Sequence, residues 1–145
     1  MFYEDYVRIY VPAGSRLLDA TPHPVAGELL VTGRDRSGQA EVLADEAGKS
    51  VFATFFVLPP GERATSRFQY ALPATVLKRS EDAWAYRLTL QKQPGTNARP
   101  VTVHLILPEG VELVSASPPV TRGAEGQWML DLSLETDAAL EVRFQ

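Results

Sequence analysis

The chain has 145 residues, 45% of them hydrophobic and 22% charged, a composition typical of one globular domain or two small ones and not of a disordered chain. The net charge of −4 is spread evenly, since residues 1–72 and 73–145 each carry seven Lys or Arg against nine Asp or Glu, so no basic face for nucleic acid is predicted. Cysteine is absent, which excludes disulfides and thiolate catalysis, and no apolar run approaches the roughly 20 residues needed to span a bilayer.

The first half begins with two apolar segments joined by a Pro-x-Gly turn, over residues 7–22. Val7, Ile9 and Val11 alternate with Tyr6, Arg8 and Tyr10, which predicts a strand with one buried face. Residues 51–58 are apolar on both faces, as in a central strand, and residues 64–72 alternate again. We therefore expect three strands in the first half, together with a second apolar segment after the first turn.

Residues 23–50 are the part of the first half that differs most from the second half. A polar turn at 33–38 is flanked by 28–32 and 40–44, which predicts an inserted hairpin. Because loops on a rigid scaffold often carry binding residues, Arg34, Asp35 and Arg36 at its tip are candidate interaction residues.

The second half contains the strictest alternation. Trp84, Tyr86, Leu88 and Leu90 share one face of a predicted strand, and the same period recurs over 101–107, 128–134 and 140–144. Pro- and Gly-rich turns separate these segments, and no stretch has a sustained helical period. The pattern predicts an all-β, antiparallel, immunoglobulin-like β-sandwich.

An internal duplication organises the chain. Residues 7–22 recur 96 positions later without a gap, and residues 52–69 recur 76 positions later, so the surplus of the first copy falls within 23–50. We expect two related units, 1–73 with the insert 23–50 and 74–145, or else a single sandwich, 1–145. The first copy lacks a counterpart of the strand 84–91. We therefore expect either that the first unit is incomplete, with its matching strand upstream in a longer protein, or that both copies share one sandwich.

No catalytic, cofactor or metal site is predicted. Gly48-Lys49-Ser50 resembles the end of a phosphate-binding loop but lacks the first glycine of that motif, and a strand follows it, so a turn is predicted. His23 and His104 are the only histidines, too few for the usual zinc ligand sets, and are expected at a surface or interface.

Two acidic pairs, Asp45-Glu46 and Glu81-Asp82, could supply carboxylates for glycoside hydrolysis or Ca²⁺ binding. Adjacent residues on extended chain point in opposite directions, so both pairs are expected to be solvated loop ends. An enzyme whose site is dispersed through the sequence is left open as an alternative.

Three tyrosines near the N-terminus, Tyr3, Tyr6 and Tyr10, accompany Arg8 along one predicted strand. Aromatic side chains on a strand face contact partner proteins or stack on sugars, and they also cover neighbouring domains. These tyrosines are therefore candidate interaction residues, with carbohydrate contact as one alternative.

Several motifs resemble the C-terminal region of domain-of-unknown-function family 4012, which comprises bacterial envelope proteins. The matching segments are the Tyr-rich strand and turn at 6–14, the Gly-Lys-x-Val-Phe strand running into Pro-Pro-Gly-Glu at 48–62, and Gln-Lys-Gln-Pro-Gly-Thr at 91–96. Residues 107–119, Gln127-Trp128 and 140–144 are also similar to immunoglobulin-like repeats of bacterial surface proteins, which act as spacers and adhesive modules.

The resemblance implies an extracellular or cell-surface location, with an anchor in a segment outside this chain, and it implies no activity. We therefore expect a non-catalytic structural or interaction module of a bacterial cell-envelope protein, or alternatively a carbohydrate- or cell-wall-binding module. The expected partners are other domains of the same protein, an envelope protein or a glycan. No cofactor, nucleic acid or membrane insertion by this chain is expected.

Overall fold

Two compact units make up the chain, Met1–Ala74 and Thr75–Gln145, in a computed structural model that describes residues 2–80 and 82–145. The sheets are antiparallel throughout, and the helical turns among the described residues are two three-residue 3-10 helices, Gly27–Leu29 and Ala74–Val76. The predicted all-β sandwich architecture is confirmed.

Residues 2–74, the described part of the first unit, form five strands in two sheets. They are β1 (Tyr3–Pro12), β2 (Arg16–Ala20), β3 (Glu41–Leu43), β4 (Lys49–Leu58) and β5 (Phe68–Ala71). One sheet has the order β1-β4-β3, and the other pairs β2 with β5. The central strand β4 is buried from Val51 to Thr54, because both of its faces are apolar and β1 and β3 flank it.

The described residues of the second unit, 75–80 and 82–145, form seven strands in sheets of four and three. They are β6 (Leu77–Ser80), β7 (Ala83–Leu90), β8 (Arg99–Leu105), β9 (Leu113–Ser117), β10 (Thr121–Arg122), β11 (Trp128–Leu134) and β12 (Ala138–Phe144). The sheet orders are β6-β7-β12-β9 and β10-β11-β8. Strand number and layering match a constant-type immunoglobulin domain, but β10 and β12 have exchanged places relative to its order.

The predicted alternation is confirmed in the long strands of the second unit. Leu134, Leu140 and Val142 are buried, whereas their sequence neighbours Ser133 and Glu141 are exposed. Trp84 deviates, because it lies near the start of β7 and is 39% exposed, with the Arg79 guanidinium 5.5 Å from its ring centroid. Arg79 belongs to β6, a strand that has no clear sequence signal.

The duplication extends to strand pairing. Val7 of β1 pairs with Thr54 of β4, and Val103 of β8, 96 positions after Val7, pairs with Leu130 of β11, 76 positions after Thr54. In both units the Pro-x-Gly turn carries the chain from one sheet to the other, with glycine at positive φ, 86° at Gly14 and 80° at the equivalent Gly110.

A β-bulge is also shared by the two units. Pairing skips Leu18 in β2, and it skips the residue 96 positions later, Val114 in β9. The second ladder is nevertheless offset by two residues, since Ala20 pairs with Phe68 whereas Ala116 pairs with Val142. An even offset keeps every side chain on its original face, so the core survives the shift.

The hairpin predicted within residues 23–50 is wrong. Residues 28–32 form no strand: the segment holds the 3-10 helix, and β3 from the 40–44 flank pairs with β4 instead. The reason is local hydrogen bonding, because the Asp35 carboxylate accepts the Gly27 N–H at 2.7 Å and the backbones of Val25 and Arg36 bond to each other. Val25 is buried, so the insert is part of the folded unit.

The strand predicted over residues 64–72 is shorter than expected, covering only Phe68–Ala71. The segment before it starts from the Pro59–Glu62 turn, where the Glu62 N–H donates to the Pro59 carbonyl at 3.2 Å. Ser66 then bonds to a side chain, His23, instead of continuing a strand ladder.

Candidate functional site

The outer face of the β1-β4-β3 sheet carries Tyr6, Arg8 and Tyr10 in a row. Alternation along β1 turns the residues between them toward the core, where Val11 is buried. Tyr6 and Tyr10 are 44% and 48% exposed. The predicted row of aromatic side chains is therefore accessible to a partner.

Six side chains on this face interact with one another, and we call them the tyrosine–arginine patch: Tyr6, Arg8, Tyr10, Arg36, Glu41 and Asp45. The Glu41 carboxylate accepts the Tyr6 hydroxyl at 3.1 Å through one oxygen and the Arg36 guanidinium at 3.1 Å through the other. Glu41 thus joins β1 to the insert.

The second half of the patch is an ion pair between β1 and the loop after β3. Arg8 Nη2 donates to both Asp45 carboxylate oxygens, at 2.6 and 2.7 Å, and the guanidinium lies 5.3 Å from the Tyr10 ring centroid. Stacking and ion pairing together hold the Arg8 side chain in one geometry.

Charge is balanced within the patch, because its two guanidinium groups face two carboxylates. The pKa of Tyr6 is raised above its ordinary value of 10.0, mainly by desolvation and next by the hydrogen bond to Glu41 and the charge of that carboxylate. At neutral pH the phenol is a neutral donor, so the patch offers a partner amphipathic rings and no net charge.

A shallow groove of about 400 Å³ adjoins the patch. Arg36, Glu41 and Phe55 line it together with residues 37–40, and the Arg36 guanidinium lies 5.0 Å from the Phe55 ring centroid. The groove combines an aromatic ring with two charged side chains, a chemistry suited to a peptide side chain.

Of the six predicted interaction residues, the fold brings together Tyr6, Tyr10 and Arg36. Tyr3 is exposed at the start of β1, opposite Leu58, and has no contact with the patch. Arg34 is exposed in the turn, while the Asp35 carboxylate is engaged by the backbone of Gly27, which gives that residue a structural role.

Sequence reasoning missed the residues that connect the patch. Glu41 lies on β3 and Phe55 on β4, and both reach the patch because β4 pairs with β3 on one side and with β1 on the other. The pairing of β3 with β4 was not predicted, because residues 40–44 were assigned to an inserted hairpin. Asp45 was expected to be a solvated loop end, and although exposed it is held by Arg8. The signal available in the sequence was Arg8, a charged residue that lies between Tyr6 and Tyr10 on the same face of the predicted strand.

The two histidines and the acidic pairs are scattered. His23 is half-buried, because its Nε2 lies 2.8 Å from Ser66 Oγ and its ring packs 5.2 Å from Phe56. His104 is exposed on β8. In residues 2–80 and 82–145 no three His, Cys, Asp or Glu side chains cluster as metal ligands would. Glu81, of the second acidic pair, lies outside the described residues.

Comparison of the chain with protein-family models, curated proteins and solved structures finds no match. The likeness to family 4012 therefore stays a prediction from motifs. None of the helices in the described part of the chain is long and apolar enough to cross a membrane.

The most specific of those motifs, residues 91–96, folds into a turn closed by Lys92. The Lys92 ammonium donates to the carbonyl oxygens of Gln93 and Thr96 and to the Thr96 hydroxyl, while the Lys92 N–H donates to Asp137 at 2.8 Å. Lys92 and Thr96 therefore have a structural role in this turn.

A second groove, of about 610 Å³, lies in the second unit at one end of its three-stranded sheet. Its lining includes Trp128, Arg122, His104, Glu112 and Gln127. The Arg122 guanidinium lies 5.4 Å from the Trp128 ring centroid, and the Oε1 atom of Gln127 is buried without a hydrogen-bond partner. None of these five residues was predicted as a site.

Proposed function

We propose that the chain is a non-catalytic interaction and structural module of a bacterial cell-envelope protein, exposed at the cell surface and anchored through a segment outside it. The motif resemblance supports the envelope location. The contact surface in this proposal is the tyrosine–arginine patch with its adjoining groove, and the partner is another envelope protein or another domain of the same one.

The main support for this proposal is that side chains of the patch already occupy fixed positions in the unbound chain. Protein interfaces are enriched in Tyr and Arg and concentrate their binding energy in a few such residues. Association usually costs side-chain entropy, and that cost falls when side chains already occupy fixed positions. Arg8 is held by Asp45 and Tyr10, and Tyr6 is held by Glu41, so both side chains are arranged before binding.

Affinity capture with point variants tests the proposal. The immobilised chain is exposed to an envelope extract, captured proteins are identified, and each is purified and titrated against the wild type and against Tyr6→Ser with Arg36→Ser. Loss of two central contacts should weaken binding about tenfold or more. Point substitutions are preferable to deleting the insert tip, because Arg36 pairs with buried Val25.

A matched control is Trp84→Ser, which removes a comparably exposed aromatic side chain from the second unit. It should leave binding unchanged. Equal loss in the control, or full binding by the double variant of the patch, would contradict the assignment of this surface.

The groove beside Trp128 favours a second candidate, carbohydrate binding. Glycan sites combine an aromatic face with convergent polar groups, and His104, Glu112 and Gln127 supply such groups here. A glycan array followed by calorimetry tests it, with His104→Ala expected to reduce the heat of binding for any hit. An array without a hit rejects this candidate.

A further inference from the structure

Among the residues that the structure describes, the first unit has no counterpart of one strand that the second unit has. In the second unit β12 is an inner strand, with β9 on one side and β7 on the other. Its counterpart in the first unit, β5, pairs with β2, and within residues 2–80 and 82–145 no strand lies on its other side. One edge of β5 is therefore open at the position that β7 occupies in the second unit.

The backbone groups on that open edge can be assigned. Thr21 N–H donates to the Arg67 carbonyl at 2.9 Å, and Arg67 N–H donates to the Thr21 hydroxyl, so Arg67 faces the β2 side. Backbone groups alternate along a strand, so Gln69 also faces β2, while Phe68 and Tyr70 direct their N–H and C=O groups to the open edge.

The core face of β3 also lacks a covering strand among the described residues. Val42 pairs directly with Phe52, so both side chains lie on the core face of the sheet. Phe52 is 0% exposed, with its ring centroid 5.7 Å from that of Tyr70 on β5, yet Val42 is 66% exposed. A core-facing valine is this exposed because the two-stranded sheet is too narrow to cover it.

These two observations are independent, since one concerns hydrogen bonds at an edge and the other an uncovered apolar side chain, and both are explained by the same absent strand. We propose that the open edge of β5 accepts an extended segment of another polypeptide, which adds to the sheet as an antiparallel strand and covers Val42. The mode is strand addition, in which backbone bonds give affinity and alternate side chains give specificity.

The second unit indicates the chemistry of the occupant. Ala20 and Ala116 correspond, and they pair with Phe68 and Val142, so Phe68 takes the place of Val142, whose neighbour on β7 is Tyr86. The incoming strand should therefore resemble β7, with bulky apolar side chains at alternate positions and polar residues between them. This surface is separate from the tyrosine–arginine patch.

A fluorescently labelled peptide with the sequence of residues 83–91 is the probe, titrated against the full chain by anisotropy. We expect saturable one-to-one binding. N-methylation at the peptide positions equivalent to Trp84 and Tyr86, which face β12 in the second unit, should weaken binding about tenfold or more, because two backbone bonds are lost. N-methylation at the positions of Ala85 and Arg87 should have little effect.

Protein variants and hydrogen exchange locate the bound peptide. Val42→Asp should fold normally, because the side chain is exposed, and should weaken binding, whereas Val114→Asp at an exposed site of the second unit should not. The amides of Phe68 and Tyr70 should exchange fast in the free chain and become protected with the peptide.

Four results would overturn the proposal. The first three are equal binding by both N-methylated peptides, unchanged binding by Val42→Asp, and protection of the Phe68 and Tyr70 amides before any peptide is added. The fourth is a homodimer in sedimentation that Val42→Asp dissociates, because it would assign the edge to a second copy of this chain and not to a strand from a different protein. Patch variants such as Tyr6→Ser should leave peptide binding intact, so failure here is distinguishable from failure of the proposed function.

Discussion

Replacing Thr54 with valine should make the first unit more stable. Thr54 is 1% exposed on the core face of β4, and its Oγ1 makes no hydrogen bond to any described residue. In the unfolded chain water satisfies this hydroxyl, so folding loses a hydrogen bond without replacement, at a cost of about 1–3 kcal/mol. Leucine occupies the equivalent place in the second unit, at position 130, where no such cost arises.

Valine keeps the shape of threonine and substitutes a methyl group for the hydroxyl, so no cavity forms. The free energy of unfolding of the first unit should rise by about 1–3 kcal/mol, and Tm by about 4–8 °C for each kcal/mol in a unit of this size. Urea and thermal unfolding followed by circular dichroism measure the change, and amide exchange in β4 locates it.

Thr102→Val is the matched control, because its exposed hydroxyl donates to Asp131 at 2.6 Å. The same chemical change should there be neutral or destabilising by up to about 1.5 kcal/mol. If Thr54→Val is neutral or destabilising with an unchanged m-value, the hydroxyl has a partner in the folded state and the reasoning fails.

Three further predictions concern the turn, the insert and the patch. Lys92→Met should cost about 1–3 kcal/mol and speed amide exchange in the turn at 91–96, because carbonyl groups there lose a charged donor; unchanged exchange would contradict this. Gly38→Ala should destabilise the first unit far more than Gly33→Ala, although both glycines have positive φ, because only at Gly38 would a Cβ atom collide with backbone, that of His23. Equal losses of unfolding free energy in urea would show that the backbone of the insert moves to make room for the Cβ atom. Glu41→Gln should lower the pKa of Tyr6 toward 10.0 in an absorbance titration, and because the neutral phenol is favoured in the folded state, wild-type stability should fall as pH rises above 10.0.

Strand positions could be predicted where a period of two persists over several residues. Burial of every second side chain leaves that pattern in β7, β8, β11 and β12, and burial of both faces leaves the continuous apolar run of β4. The duplication added pairing information, because two sequence offsets together matched the register of both large ladders.

Short strands and side-chain contacts across distant segments could not be predicted. The two residues of β10 and the polar β6 bury too little to leave a pattern. The insert misled the interpretation because one carboxylate, Asp35, captures a backbone N–H and overrides the apparent strand pattern. Glu41 bonds to both Tyr6 and Arg36 only when the insert has its folded structure. The roles of Glu41 and Asp45 in the patch could therefore not be predicted from the sequence.

The burial of β4 has a consequence for how this surface can evolve. Val51 and Ala53 lie on the outer face and are 0% exposed, and their cross-strand neighbours are Tyr10, Arg8 and Glu41. Side chains offered to a partner therefore also shield the sheet from water. A library that randomises the residues opposite Val51 and Ala53 will therefore contain many members that do not fold. Variation that preserves the fold should concentrate at Tyr6, whose cross-strand neighbour Phe55 is already partly exposed, and at Arg34, which is exposed in a turn.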